Sequence, residues 1–517
     1  MKKNNYLKTL ILTLSIFLTY TISTQAMSID YIVGKTRYET AGLIADKMNY
    51  STAIIVNGQA LADGLSSSGL SGSLNAPILL TDTNSIPNST LEKLTNTNKI
   101  YLVGGDGVIS KDIESNLKSL GKTVVRLGGI NRFYTSYAVA DEINKIKGIS
   151  ELYYVNGYQG EADAMSIAPV AAKNGNPVIL TDGKTTEYLK IVKSYSIGGT
   201  GVLNSYFDSF AERIGGQTRF ETNANVINKF FPNKQHVNLS KSDVLIDALT
   251  ASALKEPVVL INDNSDKSII AGAKSATVFG DISQTAVNRS KSYILNKKVV
   301  FYSQHQDDET IFAGSAIVDA IKAVGPENVY IVLISDGDES GIFLGDRYKN
   351  LSTIEKMRLR NNEFKAATSQ LGVLEENLIF LNQPEADINE KIIKDTILDF
   401  ENNSTSVTHI THSYKYDVHN QHLKTGEFLY NLYKEGLIKD CRFFGRKELM
   451  PSNSKSLIES VADNTDEKNK ILMACYEYRL DNQDMIREGI GYKSVKSLFD
   501  ALTSNPLTPS YLHEPGL

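Results

Sequence analysis

Gly34-Lys35-Thr36-Arg37-Tyr38-Glu39-Thr40 decides the first half of this chain, because it comes back twice. It returns as Gly129-Ile130-Asn131-Arg132-Phe133-Tyr134-Thr135 and as Gly216-Gln217-Thr218-Arg219-Phe220-Glu221-Thr222. Three further signatures follow each copy in the same order. First comes Ala62-Asp63-Gly64, repeated as Ala162-Asp163-Ala164 and Ile246-Asp247-Ala248. Next comes an apolar run: Pro77-Ile78-Leu79-Leu80, Pro177-Val178-Ile179-Leu180 and Pro257-Val258-Val259-Leu260. Last comes Val103-Gly104-Gly105, Ile197-Gly198-Gly199 and Phe279-Gly280-Asp281. A lone Gly-Gly is weak evidence of anything, but an ordered set that recurs three times marks a tandem repeat.

One copy reads as a small α/β unit. Arg-aromatic-x-Thr opens a helix such as Ala41 to Met48, and Ala53–Val56, Ile78–Leu80 and Ile100–Val103 are short runs rich in β-branched residues. Continuous apolar runs between helical segments are buried parallel strands. Glycines after strands, as at Gly104-Gly105, permit tight strand-to-helix turns. Arg37, Arg132 and Arg219 are open to two readings, contact with an anionic polymer or pairing with Asp63, Asp163 and Asp247 to fix the fold. The second is favoured because all three copies keep both residues.

These residues resemble the clostridial cell-wall-binding repeat of type 2, over about residues 28–294. The resemblance implies three small Rossmann-like modules in a pseudo-threefold arrangement and attachment to an anionic cell-wall polysaccharide of a Gram-positive bacterium. It also implies that Pro77, Ile78, Leu79, Leu80, Pro177, Val178, Ile179, Leu180, Pro257, Val258, Val259 and Leu260 lie at the polymer-binding surface, although composition alone makes them plain core strands. The third copy departs most, with Ile261-Asn262 in place of Thr-Asp.

The start of the chain, Met1-Lys2-Lys3, then an apolar run Leu10–Leu18, then Thr24-Gln25-Ala26, has the form of a secretory signal peptide. The run is too short for a membrane-spanning helix, which needs about 20 apolar residues. Residues 27–296 carry 26 Lys+Arg against 25 Asp+Glu, and residues 297–517 carry 25 against 34. The shift marks two functional halves, and neither is basic enough for nucleic acid. Two cysteines, Cys441 and Cys475, are too few for a disulfide scaffold and read as buried thiols.

The second half carries the chemistry. Val299–Ser303 is a buried strand that ends in Gln304-His305-Gln306-Asp307-Asp308-Glu309, and Thr310 to Val324 follows as an amphipathic helix. A polar cluster at the carboxyl end of a parallel strand is where α/β sheets place their sites. Three carboxylates beside an imidazole are costly without a cation, and His with Asp is a natural zinc ligand set. A second cluster, His409 and His412 on a strand, then His419-Asn420-Gln421-His422, precedes a helix from Leu423 to Tyr433. Five of the seven histidines of the chain lie in these two clusters. His409, mid-strand, reads as a core histidine, and His412 stands open between core and ligand.

His305-Gln306-Asp307-Asp308-Glu309 resembles the His-Pro-Asp-Asp-Glu motif of the PIG-L/LmbE-type deacetylases, and His419-Asn420-Gln421-His422 resembles their His-Pro-Asp-His motif. Ile331–Gly337, Arg360-Asn361-Asn362-Glu363 with Leu371-Gly372-Val373, and Lys470–Tyr478 are similar to later elements of that family, in order. The resemblance implies that His305, Asp308 and His422 bind Zn2+, that Asp307 is the general base, that His419 is the electrostatic or acid partner and that Arg360 holds sugar hydroxyls. It departs at Gln421, where the family has an aspartate; Asp417 lies two residues before His419 as a substitute.

The fold expected is therefore α/β throughout: a signal peptide over 1–26, repeats over 28–122, 123–210 and 211–294, and a Rossmann-like PIG-L/LmbE-type deacetylase domain over 297–517. The function expected is a secreted, wall-anchored, zinc-dependent N-deacetylase whose substrate is an N-acetylated glycan, with no membrane span in the mature chain. A surface protein that has lost turnover and a zinc amidase acting on wall peptides are the alternatives.

Overall fold

A computed structural model describes residues 28–517, so the expected signal peptide lies outside the described residues. The repeated stretch is a helix start. Thr36, Asn131 and Thr218 are the N-cap residues of helices Arg37–Ala45, Arg132–Lys147 and Arg219–Phe230, and each side chain accepts from first-turn N–H groups. The hydroxyls of Thr40, Thr135 and Thr222 accept from the N–H groups of Gly34, Gly129 and Gly216 at 3.0, 3.1 and 3.1 Å. A Cβ on Gly34 would come within 2.5 Å of Thr40 N, so the close approach of the two backbones demands glycine.

The described chain begins with strand β1 (Ser28–Ile32), which does not join the sheet that follows it. That sheet is β2 (Thr52–Asn57), β3 (Ile78–Thr81), β4 (Lys99–Val103) and β5 (Thr123–Leu127), parallel in the order β3-β2-β4-β5. The second contains β6 (Glu151–Asn156), β7 (Val178–Thr181), β8 (Lys193–Ile197) and β9 (Glu212–Ile214) in the order β7-β6-β8-β9. The third contains β10 (His236–Lys241), β11 (Val258–Ile261) and β12 (Ser275–Phe279), and its fourth strand is β1. Each sheet thus ends with the strand that precedes the next copy of the motif, and β1 closes the series on itself.

The junctions follow the same cycle. Asp63 lies in the field of Arg132 and Asp163 in that of Arg219, while Asp247 lies in that of Lys241 and, more weakly, of Arg37. The repeated arginine that reaches each aspartate thus comes from another copy, without a direct ion pair, and each arginine donates to a backbone carbonyl of its own copy, Gly58, Gly157 or Ser242. Burial is the main influence on Asp163 and pushes it up to about 7, with Thr222 and Arg219 opposing.

The apolar runs correct one expectation. Ile78, Leu79, Leu80, Val178, Ile179, Leu180, Val258, Val259 and Leu260 are at most 1% exposed, and Pro77, Pro177 and Pro257 are buried. These residues form or lead into β3, β7 and β11, packed on both faces, so their side chains are not available to a polymer in solvent.

The second half is built on a sheet of seven strands, with a separate short pair at Asp481–Asn482 and Arg487–Glu488. The sheet comprises β13 (Lys298–Ser303), β14 (Val329–Ser335), β15 (Leu378–Gln383), β16 (Val407–His412), β17 (Cys441–Phe444), β18 (Leu457–Ser460) and the last strand, Ser510–His513. The order is β15-β14-β13-β16-β17, then the last strand and β18. The first five are parallel, and the last strand is antiparallel to both neighbours. The chain runs outward from β13 to β15 on one side and restarts at β16 on the other. A crevice opens at the carboxyl ends of β13 and β16, the topological switch point where open α/β sheets bind ligands. Cys441 and Cys475 are free and buried. Among the described residues no helix is long and apolar enough to cross a membrane.

Candidate metal centre

Both histidine motifs arrive at this crevice. His305 leaves β13 and Asp308 opens the helix Asp308–Val324, while His419 caps and His422 lies in the first turn of the helix Asn420–Lys434. His305 Nδ1, Asp308 Oδ2 and His422 Nε2 form a triangle with sides of 3.2, 3.3 and 3.3 Å. Four-coordinate zinc with bonds near 2.0–2.1 Å separates its ligand atoms by about 3.3 Å. The donor set and its spacing therefore fit a divalent metal, and overlapping histidine and Asp308 groups in this cluster have the same capacity.

The outer edges of both imidazoles are held. His305 Nε2 meets Gln421 Oε1 at 2.8 Å and Glu385 Oε1 at 3.2 Å. His422 Nδ1 meets Asp417 Oδ2 at 3.1 Å. Acceptors on these nitrogens put the proton there and turn the other lone pair of each ring into the triangle. Asp417 therefore orients His422 and not His419, to which it gives only a backbone contact. Glu385 carried no sequence signal, since it sits in a loop after β15 outside every motif.

His412 stands beside this set but differs in kind. Its Nε2 is 3.3 Å from Asp308 Oδ2 yet accepts the N–H of Gln304 at 3.1 Å, and Nδ1 is buried without a partner. Burial, with the His422 ring stacked at 3.9 Å, holds it down to about 4. A neutral ring whose accepting nitrogen is already engaged packs under the site. His409 is a satisfied core histidine, between Tyr302 and Glu401.

Asp307 has the unusual backbone of the site, φ +117°. Strain of this kind is kept where surroundings over-determine it. Although Asp307 occupies the N-cap position, its side chain makes no capping bond. Its carboxylate accepts from Arg360 Nη1 at 3.2 Å, and burial raises it to about 7 against the opposing Arg360. Arg360, expected to hold sugar hydroxyls, is buried and also donates to the Gln306 carbonyl at 2.6 Å. Gln306, where the family has proline, ties this arginine to Asn361 Oδ1 and to the carbonyl of Asp336. Gly337 follows at φ +69°, and a Cβ there would lie 2.1 Å from Gln306 Oε1. His419 lies edge-on to His305 and tilted over His422, with ring centroids 5.1 and 4.5 Å away. Burial, then the charges of those two rings, lower it.

The cavity over the triangle holds about 320 Å³, enough for one sugar residue. Its walls include Phe312, Glu339, Glu385, Val418, His419 and Arg446. A second cavity of about 700 Å³ opens at the junction of the second and third copies, beside Asp163 and Arg219.

Residues 32–114, 126–207 and 213–326 match the family Cell wall binding domain 2 (CWB2), and residues 300–433 match the family GlcNAc-PI de-N-acetylase (PIG-L). The chain is 28% identical over 320 residues to N-acetylmuramoyl-L-alanine amidase LytC of Bacillus subtilis (strain 168), covering 56% of this chain and 64% of that protein. It is 33% identical over 263 residues to the Amidase enhancer of the same organism, covering 48% of this chain and 36% of that protein. It thus spans less than two thirds of either relative. The solved structure of Cwp8 from Clostridium difficile is 27% identical, with a TM-score of 0.48, covering 52% of this chain and 51% of that one. With three matches that together take up more than half of its residues, the chain belongs to the cell wall binding domain 2 family, and it carries a PIG-L domain behind the repeats.

Proposed function

We propose that this protein is a secreted, wall-attached, zinc-dependent N-deacetylase that hydrolyses the acetamido group of N-acetylated sugars in wall glycans. The observation that carries the reading is the triangle of His305 Nδ1, Asp308 Oδ2 and His422 Nε2, with sides of 3.2–3.3 Å beside a carboxylate that is not part of it. In this reading residues 28–122, 123–210 and 211–294 are the anchoring repeats and 297–517 the catalytic domain.

His305, Asp308 and His422 would hold zinc, which as a Lewis acid activates water and polarises an amide carbonyl. Asp307 takes the proton of the attacking water, a task for which a carboxyl raised towards neutrality is suited. Arg360 keeps that carboxylate in one rotamer and balances its charge. His419, free of side-chain hydrogen bonds among the described residues, donates to the carbonyl oxygen as it gains charge. The proton that Asp307 took from the water then goes to the leaving amine. Phe312 and Val418 add apolar surface to the cavity wall.

The test is acetate release from purified wall, with and without chelator. Acetate that appears only when metal is present supports the reading. Release of a peptide or amino acid instead would favour the amidase, and bound metal without any product would favour a surface protein that has lost turnover. For the repeats, the full chain should sediment with walls that keep their anionic polymers. Equal sedimentation with walls stripped of those polymers would remove the anionic-polymer part of the proposal.

A further inference from the structure

The cavity has two arginines in its wall, and they are in opposite states. Arg360 makes a hydrogen bond from each of its three nitrogens, to Asp307 and Gln306. Arg446 makes no side-chain hydrogen bond among the described residues, and its Nε is buried without an acceptor. The nearest carboxylates stand off, Asp417 Oδ1 at 3.7 Å from Nε and Glu448 Oε1 at 3.9 Å from Nη1. Asp417 is already committed, because Oδ1 accepts from the N–H groups of Val418 and His419 and Oδ2 holds His422. The side chain is partly exposed in the cavity wall, so its Nη donors, which make no hydrogen bond among the described residues, are free for a ligand.

The arginine is also well placed and firmly mounted. Its own N–H donates to the Tyr416 carbonyl at 2.9 Å, and the N–H of Gly445 donates to Tyr511 of the last strand at 3.1 Å. Gly445 is needed for this approach, since a Cβ there would lie 2.6 Å from Tyr416 O. The guanidinium carbon lies 6.0 Å from the Phe312 ring, which itself lies 6.1 Å from the His422 ring. Arg446 therefore stands on the His422 side of the cavity. Glu385, bonded to His305, stands on the other side.

The geometry points to Arg446 as the residue that selects an N-acetylated sugar bearing an oxyanion, a carboxylate or a phosphate, on the same sugar residue as the acetamide. This inference rests on the deacetylase reading above. The planar guanidinium matches either oxyanion with paired N–H groups. A cavity of about 320 Å³ keeps that anion within one residue of the reacting carbonyl.

The experiment compares N-acetylmuramic acid, N-acetylglucosamine 6-phosphate and neutral N-acetylglucosamine as substrates of the full, metal-loaded chain. Wild type should favour at least one anionic sugar over the neutral one by about 10–100-fold in kcat/KM, the worth of one charge-assisted pair. Whichever anionic sugar is favoured identifies carboxylate or phosphate as the source. Arg446→Gln should erase that preference mainly through KM, and Arg446→Lys should restore part of it. An equal fall for charged and neutral sugars, or loss of bound metal in Arg446→Gln, would make Arg446 a prop for Asp417 and overturn the inference. Acetate release with no preference for the charged sugars would also overturn it while leaving the deacetylase reading intact. No acetate from any sugar or from wall would remove both.

Discussion

Asp307→Asn separates chemistry from scaffolding more cleanly here than in most sites. Asparagine is nearly the same shape and tolerates the left-handed backbone at φ +117° as well as aspartate does. No capping bond is lost, because the Asp307 side chain makes none. What disappears is one charge-assisted contact with Arg360, which keeps its bonds to the carbonyl and side chain of Gln306. That contact is worth about 1.5–3 kcal/mol. In a unit of about 200 residues each kcal/mol moves the midpoint by about 2–4 °C, so Tm should fall by about 3–12 °C. The triangle is untouched, so bound metal should stay near wild type. Acetate release should fall by roughly 10²-fold or more, the scale of a lost general base. Metal content, thermal midpoint and acetate release measured on one preparation decide the matter. A folded, metal-loaded Asp307→Asn protein that turns over at the wild-type rate would refute the reasoning.

His422→Ala should empty the metal site, whereas His412→Ala should leave occupancy close to wild type, because the accepting nitrogen of His412 is engaged by Gln304 N–H; metal analysis after dialysis checks both. Asp417→Asn should weaken metal affinity by about 10–100-fold through His422, read by competition with a chelator. Leu180→Ala should cost about 2–5 kcal/mol of stability in denaturant unfolding, as a core truncation does. A variant that kept its stability and lost only wall binding would restore the surface role that burial of this strand denies.

Much of the fold was legible because the repeat makes its own comparisons. Arg-aromatic-x-Thr marks a helix start in all three copies, and in the structure Thr36, Asn131 and Thr218 cap those helices. The histidine and aspartate cluster that could hold a metal was legible as two polar motifs at strand ends, and the choice of His305, Asp308 and His422 within it came from the family resemblance. The rest was hidden in what sequence order does not encode. Ser28–Ile32 reads as a strand, but nothing in it tells that its partner is β12, at the far end of the repeats. That Asp63 lies in the field of Arg132 rather than Arg37 follows from the same cyclic closure. The resemblance put the apolar runs near the polymer-binding surface and composition alone made them core strands; their burial agrees with the composition. Glu385 and Arg446 belong to no motif, and only the fold brings them to the cavity.

Gln421 shows how far a departure in sequence can mislead when its neighbours are unknown. An aspartate between the two histidines would supply charge to an imidazole, so a neutral residue there reads as decay. In the structure Gln421 accepts from His305 Nε2 at 2.8 Å and donates through its own Nε2 to the Glu385 carbonyl at 2.9 Å. A carboxylate in its place has no proton to donate to that carbonyl. It would also add a second negative charge on an edge of His305 that Glu385 already serves at 3.2 Å. The amide is the residue type that meets a donor and an acceptor at once. Glu385 and Gln421 therefore form one device: the carboxylate brings the charge, the amide fixes the carboxylate's backbone, and both hold the proton of His305 on the side away from the metal site. The charge absent at position 421 is thus supplied to His305 by Glu385, and the outer edge of that imidazole stays held.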